Sequence, residues 1–242
     1  MVAKKSIDLS LVVPCYNEGS NIGVVLEEIT THLQCNDVAR YEIIVVNDGS
    51  TDNTTAVLKK AKARYPALRV ATHDRNLGLG MALRTGFALT RGKYVSFLPA
   101  DGEVGADQLL KIYALREKAD AVVTARIRNN IYPFYREILS FGWRKIMRVL
   151  LGFDAKKMDG IYLIRGEMLR SFKLRSTSGF VQYEIMMNCV KRKAVFVKST
   201  MECRPRLSGF SKVLNLRTIA KSLVEPLKLR LAMRFGTSDA SA

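Results

Sequence analysis

The sequence predicts an α/β fold with a mostly parallel central sheet flanked by helices. Short apolar runs rich in β-branched and aromatic residues alternate with longer stretches whose apolar residues recur at helical spacing. The links between them are short, which favours strand–helix–strand crossovers and hence parallel pairing. The polar, glycine-bearing links cluster after the strand-like runs. In open sheets of this kind, ligands bind outside the carboxyl ends of the strands.

The elements follow in chain order. Ile7–Val13, Tyr41–Val46, Leu68–Thr72 and Lys93–Leu98 read as buried strands. After the first, Ile22, Val25, Leu26 and Ile29 share one helical face. After the second, Ser50 to Asn53 offer several caps to a helix. After the third, Leu79–Gly92 is helical, with Gly92 as its stop. Ala119–Arg126 is a further strand, and Pro133–Phe153 a basic, aromatic and apolar helix. Asp159–Leu169 reads as a strand running into a helix, Ser178–Lys193 as a helix, and Ala194–Pro205 as a strand. Val213–Phe235 interleaves Leu, Ile and Met with Arg and Lys, with Pro226 as a kink, and the last seven residues are expected to be disordered. This divides the chain into a domain over 1–212 and a basic amphipathic helical segment with its tail over 213–242.

The bulk composition sets limits. Of 242 residues, 48% are hydrophobic and 25% charged, which implies a packed core rather than disorder. Lys and Arg outnumber Asp and Glu by 39 to 22, a formal net charge of +17. That charge suits an anionic partner: nucleic acid, a membrane surface or a phosphorylated substrate. No recognised nucleic-acid motif is present, so nucleic acid is set aside. Cys15, Cys35, Cys189 and Cys203 show no metal-ligand spacing and read as reduced core thiols of a cytosolic protein. The N-terminus lacks the apolar core of a signal peptide, and no apolar run approaches the roughly 20 residues of a membrane span. The expectation is a cytoplasmic protein that touches a membrane without crossing it.

Four polar segments follow the first four strands: Pro14–Gly19 (PCYNEG), Asn47–Asp52 (NDGSTD), His73–Gly80 (HDRNLGLG) and Pro99–Glu103 (PADGE). Each alone is equally a turn; together, at one sheet edge, they form a coherent site. Gly78 and Gly80 are assigned to close packing, with Asn76 near a ligand. His32 and His73 are assigned to solvated or capping roles. Glu184 is read as a satisfied polar residue on a helix; only the family resemblance given next makes it a second-tier site candidate. Cys15 has no nearby base and is assigned no catalysis.

In order and spacing, VVPCYNEGSNI, VVNDGSTDNT, NLGLGMALRTGFALTRGKYVSFL and the acidic strand end resemble family 2 glycosyltransferases of the GT-A fold. Further on, DGIYLIRGEML, GFVQYEI and RLSGFSK, an R-x-x-G-x-S-K run, resemble the polyprenyl-phosphate glycosyltransferases, the branch of the dolichol-phosphate mannose synthases. The resemblance covers about residues 7–212. It implies an inverting enzyme that moves a hexose from a nucleotide-diphosphate sugar, GDP-mannose or a UDP-sugar, to a dolichyl or undecaprenyl phosphate. By motif position, Pro14, Tyr16, Glu18 and Asp48 would line the nucleotide pocket, and Asp101 and Glu103 would hold a divalent metal, Mg²⁺ or Mn²⁺. Arg126, Arg136, Arg206 and Lys212 fall in the family's phosphate-contacting regions. Together with Asp101, the catalytic set is Asp101, Arg126, Arg206 and Lys212.

Two departures matter. Asn47 stands where the family has an Asp, and Pro99 where it has the first acid of a D-x-D pair. Mg²⁺ takes one or two carboxylates plus substrate phosphates, a number that Asp101 and Glu103 supply. A phosphate monoester has a second pKa near 6, so such an acceptor needs no strong general base. Its lipid tail brings the enzyme to an anionic membrane surface, for which the basic, aromatic helix and the 213–235 segment are suited. Two alternatives stay open: a soluble or glycan acceptor, and a nucleotide-sugar binder without catalysis. Sequence is silent on oligomeric state.

Overall fold

The computed structural model describes residues 6–36, 38, 40–127, 160–205 and 207. Arg206, Lys212, Arg136, the expected helix over 133–153 and the 213–242 segment lie outside the described residues.

Among the described residues, seven strands form one sheet in the order β3-β2-β1-β4-β6-β5-β7. They are β1 (Leu9–Cys15), β2 (Tyr41–Asn47), β3 (Leu68–Thr72), β4 (Tyr94–Phe97), β5 (Ala121–Arg126), β6 (Tyr162–Arg165) and β7 (Phe196–Met201). The helices are α1 (Ile22–Cys35), α2 (Thr54–Arg64), α3 (Leu79–Ala88), α4 (Ala106–Tyr113), α5 (Gly166–Arg170) and α6 (Val181–Lys191). The first four strands pair in parallel, as strand–helix alternation requires. β6 runs antiparallel to both β4 and β5, while β5 and β7 are parallel. Every strand but β6 therefore points the same way. The carboxyl ends of β1 to β5 and of β7 open on one edge, and β6 starts from that same edge.

The core explains the order. β1 is buried along its whole length, as a central strand covered on both faces must be. In β2, Ile44 and Val46 pack with Ala82 of α3, while Ile43 and Val45 join the main core, which includes Leu26 and Ile29 of α1. The pleat thus sends alternate residues of one strand to helices on opposite faces. Gly86 lets α3 lie directly on β1, because a Cβ there would overlap Val12 Cγ1.

At the amino edge, Glu42 is only 2% exposed. It accepts bonds from Ser10 Oγ at 2.7 Å, Arg69 Nη1 at 2.8 Å, Arg91 N at 2.8 Å and Arg91 Nη2 at 3.0 Å. Burial pushes its carboxyl up, but these donors outweigh burial and hold it below the usual glutamate range.

Three expectations change. Helix α3 ends at Ala88, four residues before Gly92, where Thr90 Oγ turns back to the Phe87 carbonyl at 2.7 Å. Gly92 instead passes close to Ser10: a Cβ there would lie 2.6 Å from Ser10 N. Of the four cysteines, Cys35 is exposed rather than in the core. Helix α4 had no counterpart in the sequence reading.

Candidate functional site

The first two loops are sewn together by their own polar side chains. Asn17 adopts φ +53°, a left-handed conformation that asparagine tolerates. Its N–H donates to Ser50 Oγ at 2.9 Å, and its Oδ1 accepts from Thr51 N at 2.8 Å. Glu18 N donates to Thr54 Oγ1 at 2.9 Å, and Gly19 N to Asp52 Oδ2 at 3.1 Å. Asp52 Oδ1 also accepts from Thr54 N at 3.0 Å, so Asp52 caps α2 from outside the helix. Burial raises the Asp52 carboxyl, but the bonds from Thr54 and Gly19 outweigh it and hold it below the usual range. Glu18 Oε2 accepts from Asn21 Nδ2 at 2.6 Å at the start of α1. Pro14 is buried in β1. Its missing N–H falls on the side facing β4, whose register with β1 runs to Val12 and Phe97.

Asp48 turns inward. It is 3% exposed and accepts from Leu77 N at 2.9 Å, Gly78 N at 2.8 Å and His73 Nδ1 at 2.7 Å. Its carboxylate ties the loop after β2 to the loop after β3, and any nucleotide reaching it would share an oxygen already in use. His73 departs from the solvated or capping role expected from sequence: its Nε2 lies 2.9 Å from Thr85 Oγ1, so the ring bridges the Asp48 loop to α3. Gly78 has φ +92° and open space around it, so conformation rather than packing calls for glycine. Gly80 does serve packing, since a Cβ there would overlap the Ser178 carbonyl. Asn47, at the departure from the family pattern, donates from Nδ2 to Thr55 Oγ1 at 3.0 Å and accepts from Ser50 N at 3.2 Å.

The acidic turn follows β4. Leu98 N still bonds Val12 O at 2.9 Å, which brings Pro99 to Asp101 alongside the end of β1. Gly102 takes φ +73°, and Glu103 N donates to Asp101 Oδ1 at 3.0 Å, fixing one carboxylate oxygen across the turn. Both acids are partly exposed. Among the described residues no group of three or more His, Cys, Asp or Glu gathers as a closed metal cage. The donor set fits a hard cation whose coordination is completed by diphosphate oxygens and water.

Two residues that sequence reasoning missed hold this turn. Arg204 Nε donates to Gly102 O at 2.6 Å, and Arg204 N donates to Glu103 O at 2.9 Å. The same guanidinium pairs with Glu28 of α1, whose other oxygen accepts from Ala106 N at 3.0 Å at the start of α4. Leu207 N reaches Asp101 O at 3.3 Å. The chain after β7 thus crosses back over the site edge to lie against the acidic turn.

Arg126, at the end of β5 opposite Met201, reaches the same edge and is exposed. β5 lies two strands from β4, a lateral separation of about 10 Å at normal strand spacing. Glu184 is 1% exposed and accepts from Arg175 N and Ser176 N, both at 2.8 Å, so it anchors the approach to α6. A cavity of about 690 Å³ lined by Glu27, Gln34, Arg40, Tyr41, Arg64 and Tyr65 sits between α1 and the amino ends of β2 and β3, and includes no residue of these loops.

Residues 10–177 match the sequence profile described as glycosyl transferase family 2. A dolichyl-phosphate beta-glucosyltransferase of Saccharomyces cerevisiae is 31% identical over 222 residues, covering 78% of this chain and 64% of the relative. A dolichol-phosphate mannosyltransferase of Pyrococcus furiosus is 27% identical over 206 residues, covering 82% and 57%. The chain therefore spans less than two thirds of the length of either relative. Glucosyl-3-phosphoglycerate synthase from Mycobacterium tuberculosis, solved with Mn²⁺ and UDP-glucose, superposes with TM-score 0.69 over 98% of this chain and 82% of that one, at 18% identity. That likeness shows the fold.

Proposed function

The chain belongs to glycosyl transferase family 2, and from that premise we propose that it moves a hexose from a nucleotide-diphosphate sugar to a polyprenyl phosphate, with inversion at C1. The observation that carries the proposal is the Asp101–Glu103 turn, set at the carboxyl edge of β4 beside the loops that end β1 and β2. The two dolichyl-phosphate transferases among its relatives support the acceptor class.

Roles follow from position. Tyr16 and Glu18, on the loop after β1, flank the nucleotide. Asp48 holds the neighbouring loops in register, a task that its three hydrogen bonds already perform. Asp101 and Glu103 hold Mg²⁺ or Mn²⁺ against the donor diphosphate. The cation, when bound, supplies positive charge that stabilises the departing nucleoside diphosphate. Arg126 meets phosphate oxygens from the far side of the edge. Arg206 and Lys212, outside the described residues, are assigned the same task on the strength of R-x-x-G-x-S-K alone. The donor and acceptor both carry negative charge, and cations between them lower the cost of approach. The acceptor phosphate is largely a dianion at neutral pH and attacks without a protein base, so the carboxylates remain committed to metal and nucleotide.

Among the described residues no helix is long and apolar enough to cross a membrane. A lipid-linked acceptor and a net charge of +17 together support docking on an anionic surface. The test is incubation with labelled nucleotide sugars and polyprenyl phosphate, with and without Mg²⁺ or Mn²⁺. Label entering an organic-extractable, acid-labile lipid is the expected result. Transfer to water-soluble acceptors alone would overturn the acceptor assignment.

A further inference from the structure

The acidic turn is short of ligands and its backbone is held from outside. Pro99 removes one acid of the usual pair, which leaves Asp101 and Glu103 on a turn whose middle residue is a glycine at φ +73°. A two-carboxylate site of this kind depends on how firmly those carboxylates are presented, because residues behind metal ligands orient them and tune affinity. Here Arg204 supplies such backing. The Arg204 guanidinium spans from the Gly102 carbonyl, at 2.6 Å, to the Glu28 carboxylate. Glu28 is itself pinned by Ala106 N at 3.0 Å, and its side chain is 19% exposed. Arginine suits this place because its planar fork binds two acceptors at fixed angles, which a lysine ammonium does not reproduce.

The same residue lies two positions before Arg206. The backbone bonds from Arg204 N to Glu103 O and from Leu207 N to Asp101 O bracket Arg206 on both sides. The acidic turn and Arg204 are thereby joined to α1 and α4 through Glu28.

We propose that Arg204, anchored by Glu28, is a positioning residue that presents the Asp101–Glu103 turn to the divalent cation. This rests on the reading of Asp101 and Glu103 as metal ligands. It predicts that loss of the guanidinium weakens metal binding in a protein that remains folded.

The experiment measures Mn²⁺ affinity by electron paramagnetic resonance in the presence of GDP or UDP, alongside thermal unfolding without metal. The proteins are the wild type, Arg204→Gln, Arg204→Lys and Glu28→Gln. Arg204→Gln should weaken Mn²⁺ binding about 10- to 100-fold, the usual range for residues behind metal ligands. Arg204→Lys keeps the charge but not the fork and should fall between it and the wild type. Glu28→Gln keeps an acceptor for Ala106 N while removing the charge that orients Arg204, and should weaken binding in the same direction. Mn²⁺ affinity within twofold of wild type in the folded Arg204 and Glu28 variants would overturn the positioning role, even if their thermal stability drops. Should Arg204→Gln not fold, the same criterion applies to the other two. Failure of the wild type itself to bind Mn²⁺ with either nucleotide would instead overturn the metal reading of Asp101 and Glu103.

Discussion

Replacing Asp48 by asparagine separates two tasks for this carboxylate. The residue takes three donors: Leu77 N and His73 Nδ1 on Oδ1, and Gly78 N on Oδ2. An asparagine can keep only one side of this arrangement. With its oxygen at the Oδ1 position it retains two bonds and turns an NH₂ group toward Gly78 N, donor against donor. The mutation then forfeits one charge-assisted bond and weakens two others. A hydrogen bond to a charged group contributes about 1.5–3 kcal/mol, and Gly78 is only half-buried, so water relieves part of the loss. The expected cost is about 2–3 kcal/mol, or a drop in Tm of roughly 4–12 °C for a chain of this size. Urea unfolding followed by circular dichroism measures the cost, and titration with GDP and UDP measures nucleotide affinity at a temperature where the variant is folded. Destabilisation with a modest loss of affinity is the expected pairing. A variant as stable as wild type, within about 0.5 kcal/mol, that has lost nucleotide binding would refute the loop-stitching account.

Other outcomes are equally specific. Asp101→Asn should abolish transfer, while its amide oxygen can still accept from Glu103 N; retained turnover would remove Asp101 from the metal site. Glu42 has a folded pKa below its unfolded one, so its stabilisation is present at neutral pH and disappears as pH falls through the depressed value. Glu42→Gln should therefore lower stability at pH 7 and flatten the acid limb of the stability profile, as read by unfolding at a series of pH values. Gly80→Val should cost about 1–3 kcal/mol through overlap with the Ser178 carbonyl, measured by the same unfolding assay. In thiol titration of the native protein, exposed Cys35 should react first, whereas Cys189, whose thiol burial pushes up to about 12, should wait for unfolding.

The parallel half of the sheet was legible because its signals are local. Leu68–Thr72 coincides with β3, and the ends of β1, β2 and β4 fall within two residues of the apolar runs. The four loops could be placed on one edge by topology alone. Nothing local marks β6 as the strand that slips between β4 and β5, since strand neighbours are decided by tertiary packing. The clamp was hidden for the same reason: Glu28 and Arg204 are 176 positions apart, and each looks in sequence like an ordinary surface charge. His73 was misplaced because its burial depends on Asp48 and Thr85 arriving from other elements. The resemblance supplied residue types for the site. It did not reveal that Asp48 would already be engaged by the protein's own backbone.

The antiparallel placement of β6 has a consequence for how such a chain can be altered. β5 ends and β6 begins on the same edge, with β6 paired directly to β4, the strand that carries the acidic turn. The stretch from 127 to 160 leaves and re-enters the sheet through a single doorway. Ile127 N bonds Met201 O and Gly160 N bonds Thr124 O, so an exchange of the cassette 128–159 keeps both of these ends, and loop length weighs little on closure entropy. Grafting that cassette between relatives is a direct way to ask whether acceptor choice travels with it while the nucleotide end stays in place.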